Sequence, residues 1–573
     1  MTTEQIVGDE ERITGSQWAL CPGCHDLVYA KRMLRNNKVC PLCGHHQVLS
    51  AAERLEQLLD PESVERIDIR LADDDPLDFI DTKSYRTRLA QARQQTGMLD
   101  AASCARGRIG GHPVIVVAMD FRFMGGSLGG GVGEIITVAA ELALATSTPL
   151  VIVTASGGAR MQEGTIALMQ MAKTSQALGR LADAGVLSIS VVSDPTYGGV
   201  AASYATLCDV IVAEPAARLG FAGPRVIMQT IGQNLPAGFQ TAEFCLQNGM
   251  IDVIAKRDQL RATLSRLLAT ASASREPRRT RFGSRDRTGT EQALIRDPAQ
   301  LPDADAWQVV REGRDLQRPT TLDYVYRLLT GFQELHGDRV GGDCTAIVGG
   351  IGLLDGTPVM LIGHQKGHNA SELSARGFGM PTPAGYRKAG RLMRLASRLG
   401  IAIVTLVDTP GAFPGLAAEQ NGQATAIAEN IQLMAGLPTP IVAVVTGEGG
   451  SGGALALAVA DRVLICADAS YSVISPEGCA AILWKQRQNA ADAAAVLGLD
   501  AKRLLELGVV DGVLPPGDVH DYDAAAERLR QALRVSLADL SQRPAPTLLA
   551  ERYARYRRFG APASVGAVAV VSA

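Results

Sequence analysis

The chain has 573 residues, enough for two or three domains with full cores, and its 46% apolar and 20% charged residues are those of an ordinary globular protein. Its net charge of −3, from 56 Lys and Arg against 59 Asp and Glu, argues against nucleic-acid or membrane binding by the chain as a whole. No run approaches the roughly 20 apolar residues of a membrane span. The opening MTTEQIVGDEER lacks an apolar signal core, so a cytoplasmic location is the default expectation.

The first recognisable element is a cysteine cluster. Cys21-Pro-Gly-Cys24 and Cys40-Pro-Leu-Cys43 form two CxxC knuckles, each able to aim two thiolates at one ion, and together they complete a closed four-sulfur shell for structural Zn²⁺. The segment between them, with Val28-Tyr29 and a basic turn from Lys31 to Arg35, suits a β-hairpin ribbon. His25, His45 and His46 read as solvated neighbours, and Lys31, Arg32, Arg35 and Lys38 as a solvated basic surface with nucleic-acid contact at most secondary. The other six cysteines are scattered through apolar runs and read as reduced thiols.

Beyond the ribbon the chain repeats itself. The run Pro149–Thr154 ends in Ala155-Ser-Gly-Gly-Ala-Arg160, and Ile401–Val407 ends in Asp408-Thr-Pro-Gly-Ala-Phe413. Gly198-Gly199 follows one later apolar run and Gly452-Gly453 another. Pairing Gly157 with Gly411, and Gly198 with Gly452, gives an offset of 254 both times. Asp209 and Asp461 precede matching β-branched runs. Short apolar strands alternate with small-residue helices, so the expected class is α/β with a largely buried sheet in each half. Between the halves, Ser272–Trp307 is rich in charge, Pro, Ser and Thr and carries Arg275, Arg278, Arg279, Arg281, Arg285 and Arg287; it reads as a solvated linker.

A strand that runs into Gly-Gly and then a helix leaves main-chain N–H groups without partners, a setting that favours an oxyanion. Two such places suggest two oxyanion holes serving one reaction. Ser156 lies in Ala-Ser-Gly-Gly rather than in a G-x-S-x-G elbow, and neither a Walker A nor an H-E-x-x-H sequence occurs. Chemistry supported by backbone donors fits the missing nucleophile.

At this point the motifs resemble a known family. Phe123-Met-Gly-Gly-Ser127, Ala155–Glu163, Asp194-Pro-Thr-Tyr-Gly-Gly199 and Gly220-Phe-Ala-Gly-Pro-Arg225 are similar to the carboxyltransferase β subunit of bacterial acetyl-CoA carboxylase, which carries the same kind of ribbon. His336–Arg339, Gly363–Gly367, Phe378–Pro381, Asp408–Gly415, Gly447–Ala454 and Ser475–Cys479 are similar to its α subunit. The resemblance implies two crotonase-like domains in tandem after the zinc ribbon: ribbon 1–50, β-like domain 51–271, linker 272–307 and α-like domain 308–573. It implies carboxyl transfer from carboxybiotin, supplied by a separate carrier protein, to acetyl-CoA, giving malonyl-CoA.

By the same resemblance, Gly198 and Gly199 hold the thioester enolate, and Gly452 and Gly453 the biotin ureido oxygen. Gly157, Gly158 and Gly411 are secondary donors or loop formers. Arg225, Lys366, Arg339 and Arg387 are candidates for CoA phosphates or the biotin carboxylate, each with a structural ion pair as the plainer role. Biotin carboxylase and biotin carboxyl carrier protein are the implied partners, and a homodimer the implied assembly. Two subunits are joined here, the α half lacks most of the usual N-terminal segment, Gly129–Gly133 leads into an acidic Glu134, and Asn421 replaces a charged residue. These departures bear on acceptor preference. Other readings are transfer to another short acyl-CoA, decarboxylation of a malonyl thioester, and a zinc-ribbon nucleic-acid binder.

Overall fold

The computed structural model describes residues 18–72, 75, 77–224, 227–228, 235–273, 293–485 and 487–559. Two compact units divide it: residues up to Arg275 together with Gln333–Asp343, and Glu276–Phe332 together with Cys344 onward. Most of the expected linker, and the arginines singled out in it, lie outside the described residues.

The first unit opens with the ribbon, in which β1 (Trp18–Leu20) pairs antiparallel with β2 (Leu27–Tyr29). The basic stretch after β2 is a short helix, Ala30–Arg35, rather than the expected turn, and it seats Met33 in the small ribbon core. A Ser50/Glu53 capping box then starts helix Ala51–Leu58. Next come β3 (Glu65–Ile67), β4 (Ala102–Ile109), β5 (His112–Met119), β6 (Leu150–Ser156), β7 (Ser188–Tyr197), β8 (Val210–Ala213), β9 (Leu219–Gly220) and β10 (Val253–Ile254).

They form one mixed sheet in the order β10-β8-β7-β6-β5-β4-β3, with β9 alongside β7. The β3-β4-β5 edge is antiparallel and the remainder parallel. Parallel strands are covered on both faces, which is why β6 reads as an unbroken run of buried residues.

The second unit repeats the plan. Its sheet holds β11 (Leu329–Glu334, of which residues up to Phe332 belong to this unit), β12 (Ile347–Leu354), β13 (Thr357–His364), β14 (Ala402–Thr409), β15 (Ile441–Gly450), β16 (Arg462–Cys466), β17 (Ser470–Ser472) and β18 (Gly512–Leu514). The order is β11-β12-β13-β14-β15-β16-β18, with β17 beside β15. A β12/β13 hairpin again leads into parallel strands.

The duplication is real, but its register through the site is 253 rather than 254. Leu150 faces Ser188 in the first sheet, and Ile403 faces Ile441 in the second. After a register shift in each sheet, Ser156 faces Thr196 and Thr409 faces Gly449. The two aspartates are equivalent structural devices: Asp209 accepts the Ser188 N–H at 2.9 Å, and Asp461 the Ile441 N–H at 2.8 Å, each pinning the start of a neighbouring strand.

One stretch is out of sequence. Gln333–Asp343 belongs to the first unit. There the Arg339 N–H donates to Gly249 O at 2.9 Å, its guanidinium pairs with Asp252, and Nη1 reaches Met250 O at 2.7 Å. The approach is close enough that a Cβ on Gly337 would lie 2.3 Å from Gly249 O. Arg339, a candidate phosphate ligand, is thus a structural clasp.

Candidate active site

Each cradle forms where two adjacent parallel strands end. In the first unit, β6 ends in Gly157-Gly158-Ala159, and β7 ends in the short helix Gly198–Ala201. Gly158 takes φ 127° and Gly198 φ 58°, so both positions favour glycine. The Ser156 hydroxyl accepts the Gly158 N–H at 3.0 Å, and Gly157 N–H bonds Gly125 O at 2.9 Å. Leu128 brackets the loop: its N–H reaches Gly158 O and its C=O accepts Arg160 N–H, both at 2.9 Å. Ala159 N–H therefore points away from Leu128 and has no acceptor among the described residues, and neither has Gly199 N–H.

The second unit builds the same object. Thr409 Oγ1 accepts the Gly411 N–H at 3.1 Å and donates to Gly411 O at 2.7 Å, with Gly411 at φ 148°. Ser451 is left-handed at φ 58° and opens helix Ser451–Leu455. Ala412 and Gly452 N–H groups, the counterparts of Ala159 and Gly199 at the 253 register, have no acceptor among the described residues.

The expected donor set is therefore redrawn. Gly198 N–H is already bonded to Phe221 O at 3.0 Å, so Gly198 supplies a turn rather than a donor. Gly453 falls opposite Val200. A Cβ there would lie 2.4 Å from Ala412 N and 2.9 Å from the Tyr386 hydroxyl, so it is a close-approach glycine. Gly158 and Gly411 have their N–H groups engaged within their own loops, and the Gly157 N–H is taken by Gly125 O. Ala159 and Ala412 were not singled out from sequence, because a main-chain donor carries no side-chain mark.

Charged neighbours brace both loops. Arg160, about 1% exposed, forms a two-pronged pair with Asp100, donates at 3.2 Å to Glu163 Oε1 and at 3.0 Å to Ser127 O, and Tyr85 donates to Glu163 as well. Burial opposes the Arg160 charge, but Asp100, with Tyr85 and Glu163, outweighs it and pushes the pKa up. Glu163 also accepts the Gly130 N–H at 2.6 Å, tying the glycine-rich 129–133 stretch to the cradle loop.

In the second unit Lys366 Nζ lies 2.7 Å from Asp408 Oδ1 and 3.8 Å from Glu448, while Arg314 bridges Glu448 and Glu477. Lys366 is thus held in an ionic network. Beside it, the wholly buried His364 accepts the Asp408 N–H at Nδ1 (3.4 Å), and its Nε2 has no partner among the described residues. Burial pushes this imidazole down to about 4. Arg387 donates to Asn421 O at 3.1 Å. Arg225 lies outside the described residues.

The four ribbon sulfurs all lie within 4.8 Å of one another, with Cys21–Cys43 at 3.7 Å and Cys24–Cys40 at 4.0 Å. A tetrahedron with Zn–S bonds of about 2.3 Å has edges of about 3.8 Å, so the cysteines fit Zn²⁺ without rearrangement. The two knuckles match: His25 and Gly44 are both left-handed and donate back to Cys21 O and Cys40 O at 2.8 and 2.9 Å. His46 is not a solvated neighbour, since its Nδ1 is buried 3.7 Å from Glu214. Lys38 pairs with Glu53 at 2.9 Å.

A four-cysteine ribbon ahead of two copies of one mixed-sheet αβ unit, each ending in the same open amide pair, defines a tandem crotonase-like protein. Residues 296–560 match the family model described as acetyl co-enzyme A carboxylase carboxyltransferase-like, and residues 18–43 match the acetyl-CoA carboxylase zinc finger domain. A curated relative from Parafrankia sp. (strain EAN1pec), named acetyl-coenzyme A carboxylase carboxyl transferase subunits beta/alpha, is 57% identical over 97% of this chain and 93% of its own length. One of the same name from Natranaerobius thermophilus is 41% identical over 96% and 93%. Among solved structures, a transcarboxylase 12S with methylmalonyl-coenzyme A and methylmalonic acid bound aligns at TM-score 0.66 and 22% identity, covering 93% of this chain and 95% of that one. The chain belongs to the acetyl-CoA carboxylase carboxyltransferase family, in the form that joins β and α subunits in one polypeptide.

Proposed function

We propose that the protein transfers a carboxyl group from carboxybiotin on a carrier protein to acetyl-CoA, forming malonyl-CoA. The observation that carries this reading is the repeated pair of unbonded amides, Ala159 with Gly199 and Ala412 with Gly452. The first pair would hold the thioester oxygen as it becomes an enolate, and the second the ureido oxygen of biotin.

Carboxybiotin releases CO₂, leaving the N1–C electron pair on the ureido nitrogen. That nitrogen takes a proton from the acetyl methyl group, and the resulting enolate attacks CO₂. No protein base is needed, which agrees with the absence of a triad motif. One oxyanion donor is typically worth on the order of 10²–10³ in rate. Zinc in the ribbon is structural, because four thiolates close its shell.

We assign the ribbon to 1–50, the β-like domain to 51–271, the linker to 272–307 and the α-like domain to 308–573, with the 333–343 strap completing the first. A separate biotin carboxylase and carrier supply the carboxyl group. The working assembly in this reading is a cytoplasmic homodimer. Among the described residues no helix is long and apolar enough to cross a membrane.

The direct test is malonyl-CoA:biocytin transcarboxylation by the purified protein, repeated with methylmalonyl-CoA. Carboxybiocytin and acetyl-CoA are the expected products. Consumption of malonyl-CoA at an equal rate without biocytin would instead identify a decarboxylase.

A further inference from the structure

A buried ionic cluster in the first unit plays no part in the chemistry above. Glu214, directly after β8, is clamped by two guanidinium groups. Arg54 Nη1 lies 2.7 Å from Oε1, and Arg257 reaches Oε1 through Nε at 2.8 Å and Oε2 through Nη2 at 2.9 Å. The three residues are no more than 4% exposed. Burial alone would raise the Glu214 pKa, but Arg54 and Arg257 hold it well below the usual carboxylate range.

Each arginine also reaches a further partner. Arg257 Nη1 donates to Asn37 O at 2.8 Å and Gln47 O at 3.0 Å, two ribbon carbonyls that flank the Cys40–Cys43 knuckle. Arg54 Nη2 donates to Ser193 Oγ at 3.1 Å. The Ser193 carbonyl accepts Thr196 Oγ1 at 3.1 Å, and Thr196 leads through Tyr197 to the left-handed Gly198 and the open Gly199 amide. The Glu214 N–H is itself bonded to Val192 O at 3.0 Å. The ribbon and the end of β7 therefore hang from one carboxylate.

We propose that Arg54, Glu214 and Arg257 form a positioning network through which the metal-held ribbon fixes the Gly199 amide. The cluster holds two cations and one anion, so its surplus charge depends on neutral acceptors: Asn37 O, Gln47 O, Ser193 Oγ and Gln57 Oε1, the last at 2.8 Å from Arg54. If the ribbon comes loose, Arg257 loses two of them, both made at the partly buried edge of the cluster. It then re-aims, and Glu214, Arg54 and Ser193 follow. Without these two anchors the Arg257 guanidinium is free to shift, and because it shares the Glu214 carboxylate with Arg54 the change passes along the network.

The network is a proposal about position and rests, for its activity arm only, on the transferase reading. It is tested on the full-length protein with zinc and after chelation, in wild type and Ser193→Ala, by amide hydrogen exchange and by transcarboxylation kinetics. Stripping zinc from the wild type should speed exchange across 193–201 by about tenfold, while β6 (150–156) stays protected. Ser193→Ala with zinc bound should reach a similar exchange rate. Stripping zinc from the variant should then add less than about twofold, because the two changes cut the same chain of contacts.

In the activity arm, Ser193→Ala with zinc should lower kcat by about tenfold and leave KM for malonyl-CoA within about twofold. The proposal is overturned if 193–201 keeps its protection when the ribbon loosens, if the two changes add, or if kcat for Ser193→Ala is unchanged. If chelation unfolds the whole unit, the zinc-loaded Ser193→Ala measurements decide alone. A wild type inactive in transcarboxylation would sink the assigned reaction, while the exchange result would still judge the network.

Discussion

Ser451 holds in the second unit the left-handed backbone position that Gly198 holds in the first, at φ 58° in both. The fold demands the same turn before each cradle helix, but only one half meets it with glycine. A non-glycine residue in this region bears roughly 1–2 kcal/mol of strain, and the exposed Ser451 side chain leaves nothing else to disturb.

Ser451→Gly should therefore be tolerated. Relief of strain outweighs the extra unfolded-state entropy of glycine, so denaturant unfolding should show a gain of zero to about 1 kcal/mol. Gly198→Ala should go the other way. Its Cβ would lie 3.0 Å from the Gly158 Cα in addition to the strain, and a loss of about 2 kcal/mol or more is expected.

The two glycines of the second cradle should separate cleanly. A Cβ on Gly452 meets only Ile427 Cγ2 at 3.9 Å, whereas one on Gly453 presses on Ala412 N at 2.4 Å and Gly411 C at 2.8 Å. Gly453→Ala should displace the Ala412 amide and lower kcat for transcarboxylation by on the order of 10². Gly452→Ala, which keeps its N–H, should stay within about tenfold of wild type. Equal losses in the two would refute the donor assignment.

Stability below neutrality should depend on His364. Its folded pKa is about 4 and its unfolded value 6.5, so between those limits the unfolded chain binds more protons. The contribution is complete above about pH 6.5 and drains away as pH falls toward 4, to a total of about 3 kcal/mol. Asp408 opposes this shift and Lys366 reinforces it, but burial dominates. In urea titrations at pH 7 and pH 4, His364→Gln should show a smaller acid loss than wild type by about that amount.

Arg160→Met should be among the most damaging single changes in the first unit. It leaves Asp100 and Glu163 buried without their cation, Glu163 being the group that holds the Gly130 N–H. A loss of about 3–5 kcal/mol is expected by chemical denaturation. The double change Arg160→Met with Asp100→Asn should recover part of it, because it removes one stranded charge.

Much of this molecule was legible in its sequence. The ribbon could be read because thiolate pairs at CxxC spacing have few other uses, and the duplication because buried parallel strands read as continuous apolar runs. The register was misread by one residue for a physical reason: matching glycine to glycine assumed that both halves solve the turn alike, and Ser451 breaks that symmetry. Ala159 and Ala412 escaped notice because an N–H donor leaves no trace in residue identity. The cluster of Arg54, Glu214 and Arg257 was invisible because its members lie 160 and 43 positions apart, and no local pattern links them.

The Gln333–Asp343 strap bears on how this gene product can be dissected. Cutting the polypeptide within 274–292 would not release a self-sufficient amino-terminal fragment, because the piece that seats Arg339 on Asp252 would stay with the carboxyl-terminal one. Recovery of the first unit would then require complementation in trans, in the manner of a split reporter, and would vary with the concentration of both fragments.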